Sequence, residues 1–311
     1  MKMHCPLCHS ENAVTTRTVP TSDVKKIYSV SGIEVAAEFE GHSIIDLKVC
    51  QDCDCQFFFP ELPGSPAFYE QLQQHHWYYP SEKSEFDFAR KYIDSTNSVL
   101  EIGCGRGSFA NRITCREYVG LEYTEASVSA ARANGLTVYR ESISEYAQRA
   151  SAAHDVVCFF QVLEHVPNVS TFLTDSLRCL RPGGILIISV PSADSFLAYS
   201  LNNILNMPPH HVTRWSTRAL VSLGKYFNLQ VVDQQHEQLA DEHVQNYVET
   251  LILLALSSEY RKLMPLTDLS LVYRIRIRLA SKLAKLVVPA LSDKSLRPPG
   301  HSITFVYRKS V

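Results

Sequence analysis

Residues 99–109 read VLEIGCGRGSF. An apolar run broken only by Glu101 leads directly into Gly103, Gly105 and Gly107. The run has the length and composition of a buried strand. Glycines at alternate positions after a strand mark a chain that turns sharply and lets a ligand approach its backbone. A dinucleotide fingerprint would place its third glycine one residue later, as G-x-G-x-x-G. Here the spacing is G-x-G-x-G.

Outward from this loop the pattern repeats. REYVGLE (116–122), TVYRE (137–141), DVVCFF (155–160) and GILIISV (184–190) each read as a strand, with helical stretches between them. Alternating strand and helix predicts a parallel sheet with helices on both faces. FNLQVVDQQ (227–235) and HSITFVYRK (301–309) are further expected strands, separated by a helical insertion of about 241–291. Upstream, KKIYSV and GIEVAAEF are read as short strands, and PELPGSP breaks the chain before an aromatic, helical segment. The expected organisation is a small β domain over 1–60, a helical lid or linker over 61–95, and a larger α/β domain over 96–311.

The order of these elements resembles class I S-adenosylmethionine (SAM)-dependent methyltransferases. The resemblance rests on VLEIGCGRGSF, on YVGLEYTEASVSAAR (118–132), on ESISEY (141–146), on HDVVCFFQVLEHVPN (154–168) and on LRCLRPGGILIISVP (177–191). It is strong over about 95–195 and weak elsewhere. It implies a Rossmann-like, mostly parallel seven-stranded sheet with an antiparallel last strand. It also implies that Glu101, Gly103 and Gly105 hold the methionine end of SAM, while Gly107 keeps the turn open. Glu122 would accept hydrogen bonds from the ribose, with Tyr123 flanking the adenine and Ser142 and Ile143 along its edge. The family often carries an acidic residue where this chain has Ser142. Gln161 would face the sulfonium and the acceptor.

Cys5-x-x-Cys8 and Cys50-x-x-Cys53 offer four thiolates to one tetrahedral zinc, in the pattern of a zinc ribbon. The 41 residues between the pairs exceed the usual spacing. Cys55, His4 and His9 are competing ligands. A closed four-thiolate site has no open position, so its expected role is structural.

Three segments are candidates for the acceptor side. One is the aromatic stretch with His75, His76, Trp77, Tyr78 and Tyr79. Another is Leu163-Glu164-His165, which resembles a recurrent L-E-H stretch in small-molecule methyltransferases. The third is NMPPHHVTRWS (206–216), which supplies His210 and His211 as candidate bases and is similar to stretches in bacterial methyltransferases. The alternative for each is packing: an aromatic cluster in the core, or a loop anchored by Trp215 with both histidines hydrogen-bonded.

Composition narrows the choice of function. The 311 residues carry a net charge of −2 and are 45% hydrophobic. No basic field grips a nucleic-acid backbone. The N-terminus has no signal-peptide layout, and the longest apolar runs fall short of a membrane span, so a cytoplasmic protein is expected. Residues 271–288, LVYRIRIRLASKLAKLVV, mix cations with apolar residues. They alternate like a strand at RIRIR and are helical beyond it. They suit either a solvated basic helix or contact with a membrane surface or lipid-linked substrate. The leading expectation is O-methylation of a small molecule: a sugar, a polysaccharide or lipid precursor, or a quinone-like compound. An N/D-P-P-Y/F motif of amino-group methyltransferases is absent from the position held by QVLEH. An RNA or protein methyltransferase docking through the ribbon, and a non-catalytic interaction protein, are the alternatives. The oligomeric state is not legible.

Overall fold

A computed structural model describes residues 3–75, 84–261 and 264–311. Two sheets organise the chain. The smaller is antiparallel and runs β1 (Ala13–Pro20), β2 (Ile44–Cys50), β3 (Gln56–Phe59) and β9 (Thr213–Arg214) in that order. The larger has seven strands: β4 (Ser98–Ile102), β5 (Glu117–Leu121), β6 (Val138–Tyr139), β7 (His154–Phe160), β8 (Leu180–Pro191), β10 (Leu229–Gln238) and β11 (Pro299–Lys309). Its order is β10-β11-β8-β7-β4-β5-β6. Strands β4 to β8 pair in parallel, while β11 lies antiparallel between β8 and β10. This is the expected Rossmann-like sheet, with its last strand reversed.

The helices follow the same logic. Those of the N-terminal third are α1 (Thr21–Val30), α2 (Pro66–Gln73) and α3 (Ser84–Ala89). Between the parallel strands run α4 (Glu125–Ala133), α5 (Ile143–Tyr146) and α6 (Val169–Cys179), and α7 (Thr217–Tyr226) precedes β10. The expected helical insertion is a pair, α8 (Asp241–Leu256) and α9 (Leu271–Val287). No helix among the described residues is long and apolar enough to cross a membrane.

Three local expectations are corrected. KKIYSV is helical, because Val24, Ile27 and Tyr28 fall on one buried face at helical spacing. GIEVAAEF forms a loop and a single 3-10 turn, Ala37–Phe39; Ile33, Val35 and Phe39 are buried without strand pairing. RIRIR likewise lies inside α9, where Ala280 and Ala284 form the buried face and the outer face keeps Leu271, Ile275, Leu279 and Leu286 exposed.

The two sheets share one core. Cys5, Cys50, Cys53 and Phe57 pack in the same buried cluster as Leu100, Phe159, Leu186 and Trp215. The 206–216 segment stitches the sheets together. Thr213 and Arg214 pair with Phe57 and Gln56, and Trp215 bridges to Ser192 beyond β8. Trp215 is fully buried, with its indole N–H donating to Thr213 Oγ1 at 3.0 Å. The ring anchors the loop through both apolar burial and a satisfied polar edge.

Candidate functional site

In open α/β sheets the ligand crevice lies beyond the carboxyl ends of the parallel strands. A cleft of about 2080 Å³ occupies that position here. Single small-molecule pockets run to roughly 1,000 Å³, so the space accommodates more than one such ligand. Gly103, Gly105, Leu121, Glu122, Tyr123 and Ile143 line one part, and Glu164, His165, His210 and His211 another. Gln161 and Val162 also line the cleft.

The glycine loop is built for close approach. Gly103 and Gly105 have φ of +72° and +53°. A Cβ on Gly103 would come within 2.5 Å of Val162 Cγ2, whereas one on Gly105 would meet no protein atom within 4 Å. The first glycine therefore makes room inside the fold. The second keeps the cleft itself clear.

Glu122 does more for the protein than its sequence position implies. Its Oε2 accepts from the Gly105 amide at 3.0 Å, and its Oε1 from the Tyr123 and Thr124 amides at 2.9 Å each. The carboxylate thus ties the end of β5 to the glycine loop before any ligand is considered. Tyr123 is largely exposed beside it. Ile143 lines the cleft, but Ser142 does not. Ser142 caps α5, accepting from the Glu145 amide while Glu145 accepts from the Ser142 amide. Neither Glu101 nor Gly107 lines the cleft. Glu101 is buried on β4 and accepts from the Tyr118 hydroxyl at 2.5 Å. Gly107, at φ +81°, faces Leu136.

Gln161 also has φ in the left-handed region, +59°. Its side-chain amide donates to Ser302 Oγ at 3.1 Å and Glu85 Oε1 at 3.3 Å. These bonds fix the end of β7 against β11 and α3. Glu85 was not legible as a site residue; it is one carboxylate among many in a helical stretch.

The L-E-H turn and the P-P-H-H loop meet in space. The His165 ring lies 4.5 Å from that of His210 and 4.9 Å from that of His211, and the latter two stack at 4.6 Å. His165 Nδ1 is 2.7 Å from the His210 carbonyl oxygen, and His210 Nδ1 is 3.2 Å from that of Leu205. A carbonyl only accepts, so Nδ1 carries a hydrogen in both rings. Burial, with the neighbouring His165, lowers the pKa of His210 well below the usual imidazole value. Burial and the neighbouring His210, His165 and Arg214 do the same for His211. Both rings are neutral at ordinary pH. Arg214 points elsewhere, its Nε donating to the Asn206 carbonyl. Tyr69 from α2 reaches His165 Nδ1 at 3.3 Å. His76, Trp77, Tyr78 and Tyr79 lie outside the described residues.

A second polar group in the cleft went unread in the sequence. Glu237, His243 and His301 line it, with His301 Nδ1 2.7 Å from Glu237 Oε1. They come from β10, α8 and β11, far apart in the chain, and no local motif links them.

The four expected cysteines converge. Cys5 Sγ and Cys53 Sγ are 3.5 Å apart, as are those of Cys8 and Cys50, and all four sulfurs lie within 4.8 Å of one another. Sulfurs on one tetrahedral zinc stand roughly 3.8 Å apart, from a Zn–S bond of about 2.3 Å. The donor set fits such an ion. Cys55 is buried and outside the set, with its Sγ directed to the Gln56 carbonyl.

Residues 73–234, about half of the chain, match the family model described as a methyltransferase domain. The chain belongs to the methyltransferase-domain family. Among its relatives, a probable S-adenosylmethionine-dependent methyltransferase of Mycolicibacterium smegmatis is 32% identical over 139 residues, covering 43% of this chain and 52% of that protein. A ubiquinone biosynthesis O-methyltransferase of Hahella chejuensis is 30% identical over 129 residues, covering 38% and 54%. The chain spans about half the length of the curated relatives it matches. A solved SAM-dependent methyltransferase from Archaeoglobus fulgidus superimposes with a TM-score of 0.48 at 19% identity, covering 78% of this chain and all of that one.

Proposed function

We propose that this methyltransferase-family chain transfers a methyl group from SAM to a hydroxyl oxygen of a small-molecule acceptor. One observation carries the reading: a single cleft joins the glycine loop and Glu122 to the three-histidine cluster, with volume for two ligands. Family membership supports the cofactor, and the relatives named as O-methyltransferases support an oxygen acceptor of quinone-precursor or similar type. SAM supplies a methyl on a sulfonium: the acceptor oxygen forms the new O–C bond as the S–C bond breaks and its electron pair stays on sulfur. Gly103, Gly105 and Glu122 would hold the cofactor, with Tyr123 and Ile143 beside the adenine. Gln161 would stand between cofactor and acceptor. Glu101, Gly107 and Ser142 would act from beneath, by holding β4, the turn and α5. His165, His210 and His211 would orient the acceptor hydroxyl and ease the loss of its proton. Alignment supplies much of the rate in such a displacement.

Zinc held by Cys5, Cys8, Cys50 and Cys53 would be structural. It would brace the N-terminal 1–60 unit, whose β3 in turn holds the histidine loop through β9. Within the 61–95 linker, the described helices α2 and α3, which bring Tyr69, Gln73 and Glu85 to the cleft, would roof the 96–311 unit. The outer face of α9 supports contact with a lipid surface: Arg274, Arg278, Lys282 and Lys285 flank its exposed apolar residues, and residues 271–287 contain no acid. Calorimetry with SAM, followed by measurement of S-adenosylhomocysteine release over phenolic, sugar and lipid-linked acceptors, tests the central reading. Saturable SAM binding and turnover with one hydroxyl-bearing class are expected. No SAM binding, or turnover confined to amine, RNA or protein acceptors, would overturn it.

A further inference from the structure

We infer that His165, His210 and His211 hold a divalent metal ion at the acceptor end of the cleft, with Glu164 beside it as a charge-balancing carboxylate. The inference rests on the proposed methyl-transfer reading only for what the ion does, not for its presence. One ring nitrogen from each histidine falls within 4.8 Å of the other two. Nitrogens sharing a tetrahedral ion stand roughly 3.4 Å apart, given metal–nitrogen bonds of about 2.05 Å. Small rotations of the rings close that difference.

The surroundings are those of ligand histidines. A ligating imidazole characteristically donates its other N–H to a carbonyl or carboxylate, which sets the tautomer and the ring direction. His165 and His210 each do so through Nδ1, to the carbonyls of His210 and Leu205. Glu164 Oε1 lies 3.9 Å from His165 Nε2 and 4.0 Å from His211 Nε2, so the two ring atoms and the carboxylate face one small volume. Glu164 is 1% exposed, His210 5% and His211 6%. Water is thus kept from the protein side of the group, while the same residues line the cleft on the other.

The backbone holds the group rigidly. The Val212 amide donates to the Glu164 carbonyl at 2.9 Å, and Thr213 Oγ1 to that of Leu163 at 3.1 Å. The L-E-H turn and the histidine loop are therefore fastened to each other beside the cluster.

Three imidazoles favour a first-row ion such as zinc, cobalt, nickel or iron over magnesium or calcium, which prefer oxygen. Three protein nitrogens also leave a position open toward the cleft, unlike the closed four-sulfur site. An acceptor hydroxyl on that position would lose its proton to solvent more readily, because the ion stabilises the alkoxide or phenolate. This selects acceptors that present an oxygen able to ligate, catechol-like or vicinal-diol compounds foremost.

The test is titration of the metal-free full-length chain with Co²⁺. Cobalt on thiolates gives a near-ultraviolet charge-transfer band; cobalt on nitrogen and oxygen gives visible absorption without it. The wild type is expected to bind one equivalent lacking the thiolate band, besides any taken up by the cysteines. His211→Asn should lose that equivalent while any thiolate band and the melting temperature persist. Glu164→Gln, which keeps the shape, should weaken the same equivalent about tenfold or more. A wild type without nitrogen-bound cobalt, or a folded His211→Asn that retains it, overturns the site. SAM calorimetry on the same preparations separates the two readings. A chain that binds SAM without the cobalt defeats the metal site alone, and one that binds cobalt without SAM defeats methyl transfer.

Discussion

Replacing Glu122 with alanine is the sharpest single perturbation of the proposed cofactor site. A carboxylate offers about four lone-pair sites. Three are taken by the amides of Gly105, Tyr123 and Thr124. About one remains for a ribose hydroxyl. A hydrogen bond to a charged group is worth about 1.5–3 kcal/mol. Losing one at about 2 kcal/mol weakens SAM binding roughly 30-fold. Loosening of the glycine loop adds to this, because Gly105 loses the partner that holds it under the cofactor. Calorimetric titration with SAM measures the affinity, and a thermal melt of the ligand-free chain measures the loop's share. The expected result is a Kd raised about 30-fold or more, with a modest fall in melting temperature. A lower melting temperature with Kd changed less than about twofold would show that Glu122 only fastens the loop, and would refute its ligand role.

Two further predictions follow from other parts of the molecule. His154 is buried between the Ser98 hydroxyl and the Tyr146 hydroxyl, each at 2.9 Å from a ring nitrogen. Burial lowers its pKa in the folded chain, against the raising effect of Glu117 and Asp155. The unfolded chain then takes up the proton first, near pH 6.5. Stability contributed by neutral His154 is present above about that pH and is lost as pH falls toward the depressed folded value. Thermal melts from pH 8 to 5 should therefore decline less steeply in His154→Gln than in the wild type, and parallel declines would remove His154 as a cause. On α9, Leu279→Glu should abolish co-flotation with anionic vesicles and leave the melting temperature unchanged, since Leu279 is exposed. Equal flotation of variant and wild type, or none by the wild type, would rule out lipid contact through this face.

Most of the large sheet was legible because its strands are local. Each buried parallel strand is a short apolar run that the chain declares by itself, and the turn after β4 needs glycine wherever it occurs. The cysteine pairs were legible for the same reason: CxxC is a complete local knuckle. Short windows failed where two periods fit a few residues equally well. KKIYSV and RIRIR alternate for five or six positions, and only the longer spacing of the buried residues shows that they are helical. The candidate site was legible in part. His165, His210 and His211 stood out one motif at a time, but nothing local says that they meet.

By itself the sequence determined the Rossmann-like sheet, the glycine loop that lines one end of the cleft and the two thiolate knuckles, since each rests on residues within a few positions of one another. Tertiary structure alone decided which side chains face the cleft. It turned Ser142 into a helix cap and Glu101 into a buried partner of Tyr118. It gave Glu122 three backbone amides to hold. It brought Glu237, His243 and His301 together from separate elements, and closed Glu164 and three histidines around one point. The reason is geometric: direction and burial of a side chain depend on contacts between segments distant in sequence, and only through them does the G-x-G-x-G loop of VLEIGCGRGSF come to share a cleft with the three histidines.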